Sequence, residues 1–302
     1  MHIPDGFLST PVWAALDAAA VVSVGSLARR TQREIEDCRI PALGVMGAFV
    51  FAAQMINFPV GLGTSGHLLG SALLVVTLGP AAASIVMAAI LVIQALIFQD
   101  GGILALGANV FNMAVAGVLA AYLPYRIWSA GRMRNFAIFA GGALAVLVGA
   151  ALAVGELLAS GIRMGPGILG ISCGLFAVNA VLEGSITVAV VRSLEAMRPD
   201  WVRAPDSSGR LVLGSLAAAA VLLAVVGVLF ASADPDGLQR LAERAGIAER
   251  AKNLFTTPMT DYQLGGVRSE WARKAVAGLA GVAAITLLTL GLSKALARRG
   301  RA

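Results

Sequence analysis

Residues 67–98, HLLGSALLVVTLGPAAASIVMAAILVIQALIF, decide how this chain is counted. The stretch carries no Asp, Glu, Lys or Arg, and it reads either as one over-long helix or as two short ones broken at Gly79-Pro80. Proline inside a helix removes a hydrogen bond and its ring clashes with the preceding turn, which favours the break. Around this stretch lie further apolar segments near 11–28, 41–58, 103–123, 136–158, 168–191, 211–231 and 275–296. They are continuous rather than alternating, so they imply helices and not the strands of a barrel. Hydrophobic residues are 58% of the 302, charged residues 13%, and the mean hydropathy is +0.82, which sets the chain among integral membrane proteins.

The basic residues settle the count. With a break at Gly79-Pro80 there are nine spans, and one set of loops holds Arg29, Arg30, Arg33, Arg39, Arg126, Arg132, Arg134, Arg192, Arg198, Arg203 and Arg210, joined by Lys294, Arg298, Arg299 and Arg301 of the tail. The short loops of the opposite face hold Arg163 alone, and the other basic residues fall in the long segment 232–274, where the positive-inside rule loses force. A single helix over 67–98 would flip every later loop and erase the bias. The expectation is therefore an all-α integral membrane protein of about nine transmembrane helices, N-terminus outside and C-terminus cytoplasmic, with the short paired segments also open to a partly re-entrant reading. This distribution also assigns the net charge of +6 to membrane orientation and not to a nucleic-acid partner.

Residues 1–205 read as a compact seven-helix bundle. A polar, turn-rich stretch (Ser193–Arg210) then leads into a second module, 206–302, of two helices around an extracytoplasmic loop, 232–274. Cys38 and Cys173 have no CxxC spacing, so neither a disulfide framework nor a zinc knuckle is expected. Met1–Leu8 lacks a basic n-region, so no signal-peptide cleavage is expected and Met1 should remain the first residue.

The chain has two histidines, His2 and His67. A histidine at position two can chelate in a way no internal one can. The α-amine of Met1, the backbone nitrogen of His2 and its imidazole Nδ1 close a five-membered and a six-membered ring on one metal, nearly in a plane. A fourth nitrogen, for which His67 is the remaining imidazole, completes a square. Such a square suits Ni(II) or Cu(II) better than tetrahedral Zn(II). The expected topology puts both histidines on the outer face, His67 at the start of a helix.

Three motifs in order carry a resemblance. Met1-His2-Ile3-Pro4-Asp5-Gly6-Phe7-Leu8 is followed by Gly63-Thr64-Ser65-Gly66-His67-Leu68-Leu69-Gly70, and then by Asp100-Gly101-Gly102 running on to Asn109 and Asn112. Over roughly residues 1–205 the chain resembles the cobalt/nickel substrate-binding component (CbiM/NikM family) of energy-coupling-factor transporters. The C-terminal helices resemble the small accessory component of the same transporters, whose Pro-Asp-Gly-Leu-Glu hallmark stands here as Pro235-Asp236-Gly237-Leu238-Gln239, with Gln in the last place. The resemblance implies Met1, His2 and His67 as metal ligands, a transmembrane coupling protein and two ATPase subunits as partners, and a multi-pass place in the bacterial inner (cytoplasmic) membrane. It implies Co(II) or Ni(II) as transported ligand rather than cofactor, and no enzymatic activity of the chain's own. The sequence has no GxxxxGK[ST] loop, so ATP hydrolysis must come from the partners.

The remaining polar residues sort around this site. Ser65 and Thr64 are expected to cap the helix after them or to orient His67. Asn109 and Asn112, three apart on one face, can bond the Gly-rich loop or act as packing glue between helices, as can Gln54 and Asn57. Glu156 and Glu183, in or near apolar spans, keep a proton-coupled secondary metal-ion transporter as the alternative. A more remote alternative, an intramembrane serine protease built on Ser65, meets the objection that His67 two residues on in a helix would not face it.

Overall fold

The computed structural model describes residues 2–34, 36–203, 205 and 209–299. Met1, Ser207, Ser208 and Arg301 lie outside the described residues. Helix α1 (Thr10–Glu34) is followed by α2 (Ile40–Gln54) and a small antiparallel hairpin of β1 (Phe58–Gly61) and β2 (Thr64–Gly66). Next come α3 (Ser71–Leu78) and α4 (Pro80–Ile93), the latter prolonged by a π-turn at Gln94–Phe98. Helices α5 (Leu106–Val110) and α6 (Gly117–Trp128) are joined by a second π-turn at Phe111–Ala116 into one rod. Long α7 (Arg134–Ala159) and α8 (Pro166–Met197) precede short α9 (Pro199–Arg203). The second module supplies α10 (Arg210–Val225), α11 (Gly237–Arg244) and α12 (Glu270–Arg299).

Seven helices among the described residues are long and apolar enough to cross a membrane. The two shorter candidates from the sequence are α2, with 15 residues, and α3, with 8. Both are apolar all round, as buried helices are. Helix α2 is covered by α10 and α12. Small residues permit this closeness: Gly44 faces Leu290 of α12, Gly47 faces Ile285 and Thr289, and Gly281 on α12 faces Phe51 and Phe98. One hydrophobic core therefore runs through both halves of the chain, from Met46 and Phe51 to Val212, Leu216 and Ile285. Helix α1 instead lies at the periphery, with Val21 73% and Val22 72% exposed, an apolar face suited to lipid or to a partner helix.

The Gly79-Pro80 break is present. Gly79 adopts φ 83° and ends α3, and Pro80 opens α4 at a position where a missing N–H costs nothing. His67 before α3 and Asp100 after α4 line the same cavity, so the intervening chain runs inward and returns to the face it left. Helix α3 rises only about 12 Å, and the non-helical residues 67–69 before Gly70 add up to roughly 10 Å more.

That extended lead differs from the expected helix. His67 does not begin a helix: α3 starts at Ser71, after Gly70 with φ +79°. Any side chain at Gly70 would also meet Val50, 2.5 Å from its Cβ, so conformation and crowding both require glycine there. Thr64 and Ser65 sit on β2 and cap nothing; the residue capping α3 is Gly70, with no side-chain bond. The apolar run Leu68-Leu69 hides this boundary in a hydropathy reading.

Candidate metal centre

His67 rides on a segment held from inside the bundle. The carboxylate of Glu183 on α8, fully buried, accepts from the Leu69 amide at 2.6 Å and from the Gly70 amide at 2.8 Å. Gln54 donates to the Leu69 carbonyl at 2.8 Å and accepts from Gln94 at 2.9 Å. These groups satisfy backbone that the extended chain leaves unpaired, which buried amides and carbonyls require. Gly66 packs against Asn179 so closely that a Cβ would overlap it.

His2 rides on a strap, residues 2–8, pressed against the turn before α5. Asn109 brackets one residue of the strap: its Oδ1 accepts from Ile3 N at 2.8 Å and its Nδ2 donates to Ile3 O at 3.0 Å. Gly102 N also donates to Ile3 O, at 2.8 Å. Asp5 then accepts from the amides of Ile103 (3.0 Å), Leu104 (2.8 Å) and Ala105 (3.2 Å). Its carboxylate occupies the place a side chain at Gly102 would need. Asp17 of α1 accepts from Gly107 N at 2.7 Å, so two carboxylates face amides at the start of α5, as the positive end of a helix favours.

The two imidazoles meet. Their ring centroids are 5.6 Å apart and tilted by 41°, and both rings are buried. His67 Nδ1 lies 3.0 Å from Leu68 O, a contact that places its proton there and leaves Nε2 as the nitrogen with a lone pair. His2 Nδ1 is 3.9 Å from Asp100 Oδ1, beyond hydrogen-bond range, and its buried Nε2 has no hydrogen-bond partner among the described residues. Gly101, with φ +100°, lies against His2 and Asn109, leaving no room for a side chain.

Burial, reinforced by the neighbouring His2, lowers the pKa of His67 to about 4. Burial likewise lowers His2, partly offset by Asp100. Burial pushes Asp100 upward, but His2 and the Tyr262 hydroxyl, which donates to it at 2.6 Å, hold it below the usual carboxylate range. At neutral pH the site thus presents two neutral imidazoles beside an ionised carboxylate. Among the described residues no three His, Cys, Asp or Glu side chains converge on one point. A metal held here must therefore draw on backbone or terminal nitrogens, the donor set that a histidine in second place makes possible.

Of the other expected site residues, Asn109 is brought to the strap rather than to the Gly-rich loop. Asn112, in the π-turn, donates to Glu156 at 2.9 Å, away from the histidines. Ser65 Oγ donates to Asp234 O at 2.7 Å and Ser65 N to Pro235 O at 2.9 Å, so its hydroxyl serves the second module and not an imidazole. Thr64 Oγ1 is buried without a hydrogen-bond partner among the described residues. Sequence reasoning missed the roles of Asp5, Asp17 and Tyr262. It flagged Glu183 as a lone carboxylate in an apolar run, and the amides of Leu69 and Gly70 are what it holds.

The loop between α10 and α12 covers the site. Asp236 caps α11, accepting from Leu238 N and Gln239 N at 2.8 Å each, while Gln239 accepts from Asp236 N at 3.0 Å. Gln in place of Glu thus still closes the reciprocal capping box. Arg240 donates to Gly63 O, Lys252 N donates to Asp5 O at 2.9 Å, and a side chain on Gly6 would strike the Arg250 carbonyl. The second module therefore grips both the hairpin and the strap. Beneath it a cavity of 440 Å³ is lined by His2 and His67 together with Asp100, Asp236 and Tyr262.

Comparison with known proteins agrees with this anatomy. Residues 2–201 match the model of the cobalt uptake substrate-specific transmembrane region, and residues 210–298 match the PDGLE domain. The chain is 33% identical to an Archaeoglobus fulgidus protein provisionally described as a fused nickel transport protein, over 100% of this chain and 99% of that one. It is 29% identical to the fused nickel transport protein of Rhodobacter capsulatus, over 99% of each. A crystal structure described as a transition metal transporter superposes with a TM-score of 0.57 at 34% identity, covering 65% of this chain and 93% of the other.

Proposed function

Since the chain belongs to the family of cobalt uptake substrate-specific transmembrane regions, with a PDGLE domain following in the same polypeptide, we propose that it captures nickel or cobalt at the outer membrane face and passes it inward as the substrate-specific component of an energy-coupling-factor importer. The chain is a multi-pass membrane protein of metal transport and not an enzyme. In this reading residues 1–205 form the metal-binding bundle and 206–302 an accessory module. The polypeptide crosses a bacterial cytoplasmic membrane nine times with its N-terminus outside, and a transmembrane coupling subunit with two ATPases supplies the energy.

The observation that carries the reading is the meeting of His2 and His67, 65 residues apart in sequence, as neutral rings 5.6 Å apart under one cavity. The α-amine of Met1, the His2 amide and imidazole, and His67 Nε2 then offer four nitrogens to one ion, with Asn109 and Glu183 holding the two supporting segments. Such a square accepts Ni(II) and also low-spin Co(II), so preference between them follows from geometry and supply more than from donor type. A proton-coupled carrier would need free intramembrane carboxylates: Glu183 is engaged by two amides, whereas Glu156 accepts from Asn112 through Oε2 and its buried Oε1 has no hydrogen-bond partner among the described residues, so Glu156 is the residue on which that alternative would rest.

Titration of the purified protein with Ni(II), its N-terminus free of any tag, tests this. A visible absorption band of a planar nickel–nitrogen complex should saturate at one equivalent and vanish in both His67→Ala and His2→Ala. Retention of the band in either variant would refute the ligand set.

A further inference from the structure

The end of α7 nearest the strap carries a polar pair that the histidine site does not use. Glu156, 8% exposed, accepts from Asn112 Nδ2 through Oε2 at 2.9 Å. Its Oε1 is buried and lacks a hydrogen-bond partner among the described residues, and so does Asn112 Oδ1. Two buried acceptor oxygens are thus left over on the two partners of one hydrogen bond. No lysine, arginine or histidine among the described residues forms an ion pair with Glu156. The titratable groups on the elements packed around it are engaged elsewhere or distant. Glu183 of α8 holds the Leu69 and Gly70 amides, and Cys173 is exposed. Glu195 of α8 pairs with Arg134 at the other end of α7, about 33 Å from Glu156. Tyr122, Tyr125 and Arg126 of α6 lie about 15 Å or more along the rod from Asn112. Asp5 of the strap and Asp17 of α1 are taken by amides at the start of α5. The terminal torsions of Asn and Glu are soft, so the two leftover oxygens can face each other across the existing bond. Two acceptors so placed repel unless a hydrogen lies between them.

We infer that Glu156 carries a proton on Oε1 at neutral pH, that this O–H donates to Asn112 Oδ1, and that the reciprocal acid–amide pair so closed is a positioning device for the strap that bears His2. One proton taken from solvent satisfies both leftover oxygens and removes a buried charge that has no counter-charge, the two costs burial would otherwise impose. A metal cation in the proton's place would call for more oxygens than these two, and among the described residues no three acidic, His or Cys side chains converge. The positioning follows from what each partner stands on. Asn112 lies in the π-turn, whose Met113 carbonyl is taken by Ser71 Oγ of α3 at 3.1 Å. One turn earlier on the same rod Asn109 brackets Ile3. Helix α7 holds the strap directly: Ser160, just past its end, accepts from Ser9 N through Oγ at 3.0 Å, and Ala153 and Leu157 share an apolar cluster with Ile3 and Phe7. The acid–amide pair therefore ties the rod that grips the strap to the helix that backs it. A neutral acid bonded through both oxygens is scaffold and not a proton shuttle. The positioning role rests on the histidine site proposed above; the protonation does not.

The test is infrared spectroscopy of the metal-free full chain in nanodiscs at neutral pH, with Ni(II) titration alongside, for wild type, Glu156→Gln and Glu156→Leu. A protonated carboxyl has a C=O stretch that an ionised carboxylate lacks. Wild type should show one such band that Glu156→Gln removes. Glutamine has the shape of the protonated acid, with an N–H to give to Asn112 Oδ1 and an oxygen to accept from Nδ2. Glu156→Gln should therefore keep the melting temperature and the nickel affinity of wild type. Glu156→Leu strands both ends of Asn112 and should bind nickel about tenfold more weakly, as loss of groups that orient ligands does. Absence of a carboxylic-acid band that Glu156→Gln removes would overturn the protonation and mean an ionised group bridged by water or a cation. Glu156→Gln losing as much affinity as Glu156→Leu would overturn it too, by showing that the negative charge is needed. Unchanged affinity in Glu156→Leu would overturn the positioning role. Absence of saturable nickel binding in wild type would defeat the histidine site and the positioning with it, while the infrared band would still decide the proton.

Discussion

His2 and His67 arrive at one cavity by opposite means. The segment bearing His67 is anchored from within, by Glu183 and Gln54 reaching up from helices that belong to the common core. The strap bearing His2 is held from its flanks, by Asn109, by Asp5 gripping the turn before α5, and by Lys252 of the second module. The first anchorage cannot be released without exposing backbone polar groups deep in the bundle. The second is spread over separate clamps, Asp5 and Asn109 buried beneath the strap and Lys252 closing over it. His67 is thus the fixed half of the site, and the strap is the half held by several separable clamps.

The sharpest test of this asymmetry sets Glu183→Gln against Asn109→Ala. Glutamine offers one acceptor oxygen where two amides now bond, leaving a buried N–H unpaired at about 1–3 kcal/mol. A clear loss of thermal stability in the metal-free protein is expected, read by a thermal-shift assay. Asn109→Ala leaves the buried Ile3 N–H unpaired and should also lower the melting temperature, but it should in addition weaken Ni(II) binding by about 10–100-fold, as loss of groups that orient ligands does. An unchanged nickel affinity in Asn109→Ala would erase the distinction. Next in size, Gly102→Ala drives a methyl group into the Asp5 carboxylate. Overpacking of about 1–3 kcal/mol should fall on the strap alone, costing about tenfold in affinity in the same titration.

A pH series sharpens the fixed half. Burial lowers His67 to about 4, so in metal-free protein its ring should stay neutral through mild acid and protonate only below about pH 5. Imidazole C–H chemical shifts would follow this, and a midpoint near 6.5 would mean the ring is not buried. Affinity should still fall between pH 8 and 6, since binding displaces protons from the α-amine, whose reference pKa is about 7.7–8.0. The smallest effect belongs to Gln239→Glu. The capping box is already closed, so a carboxylate adds only its attraction to the helix N-terminus, about 0.3–1 kcal/mol, visible as a slight rise in melting temperature with nickel affinity unchanged.

The apolar segments, the Gly79-Pro80 break and the pairing of His2 with His67 were legible in the sequence because each rests on local chemistry: hydropathy, a ring that forbids a helix, a chelate that only position two allows. The boundary at 67–70 was not, since Leu68 and Leu69 are as apolar in an extended chain as in a helix, and the deciding groups are Gly70 against Val50 and the distant Glu183. The roles of Asp5 and Asp17 were invisible for a related reason. Each carboxylate serves amides about a hundred residues away, and nothing in the sequence of either partner marks the match. Asn109 and Asn112, alike in spacing, part company because the chain between them enters a π-turn, which turns Asn112 towards Glu156.

The bond between Lys252 N and Asp5 O also fixes an order in time. The strap leaves the ribosome well before the residues that close over it. At roughly 5–20 residues per second, some tens of seconds of translation separate the two. For most of that interval the nascent protein has both histidines and no lid, so the cavity over them is complete only once the loop between α10 and α12 has been made.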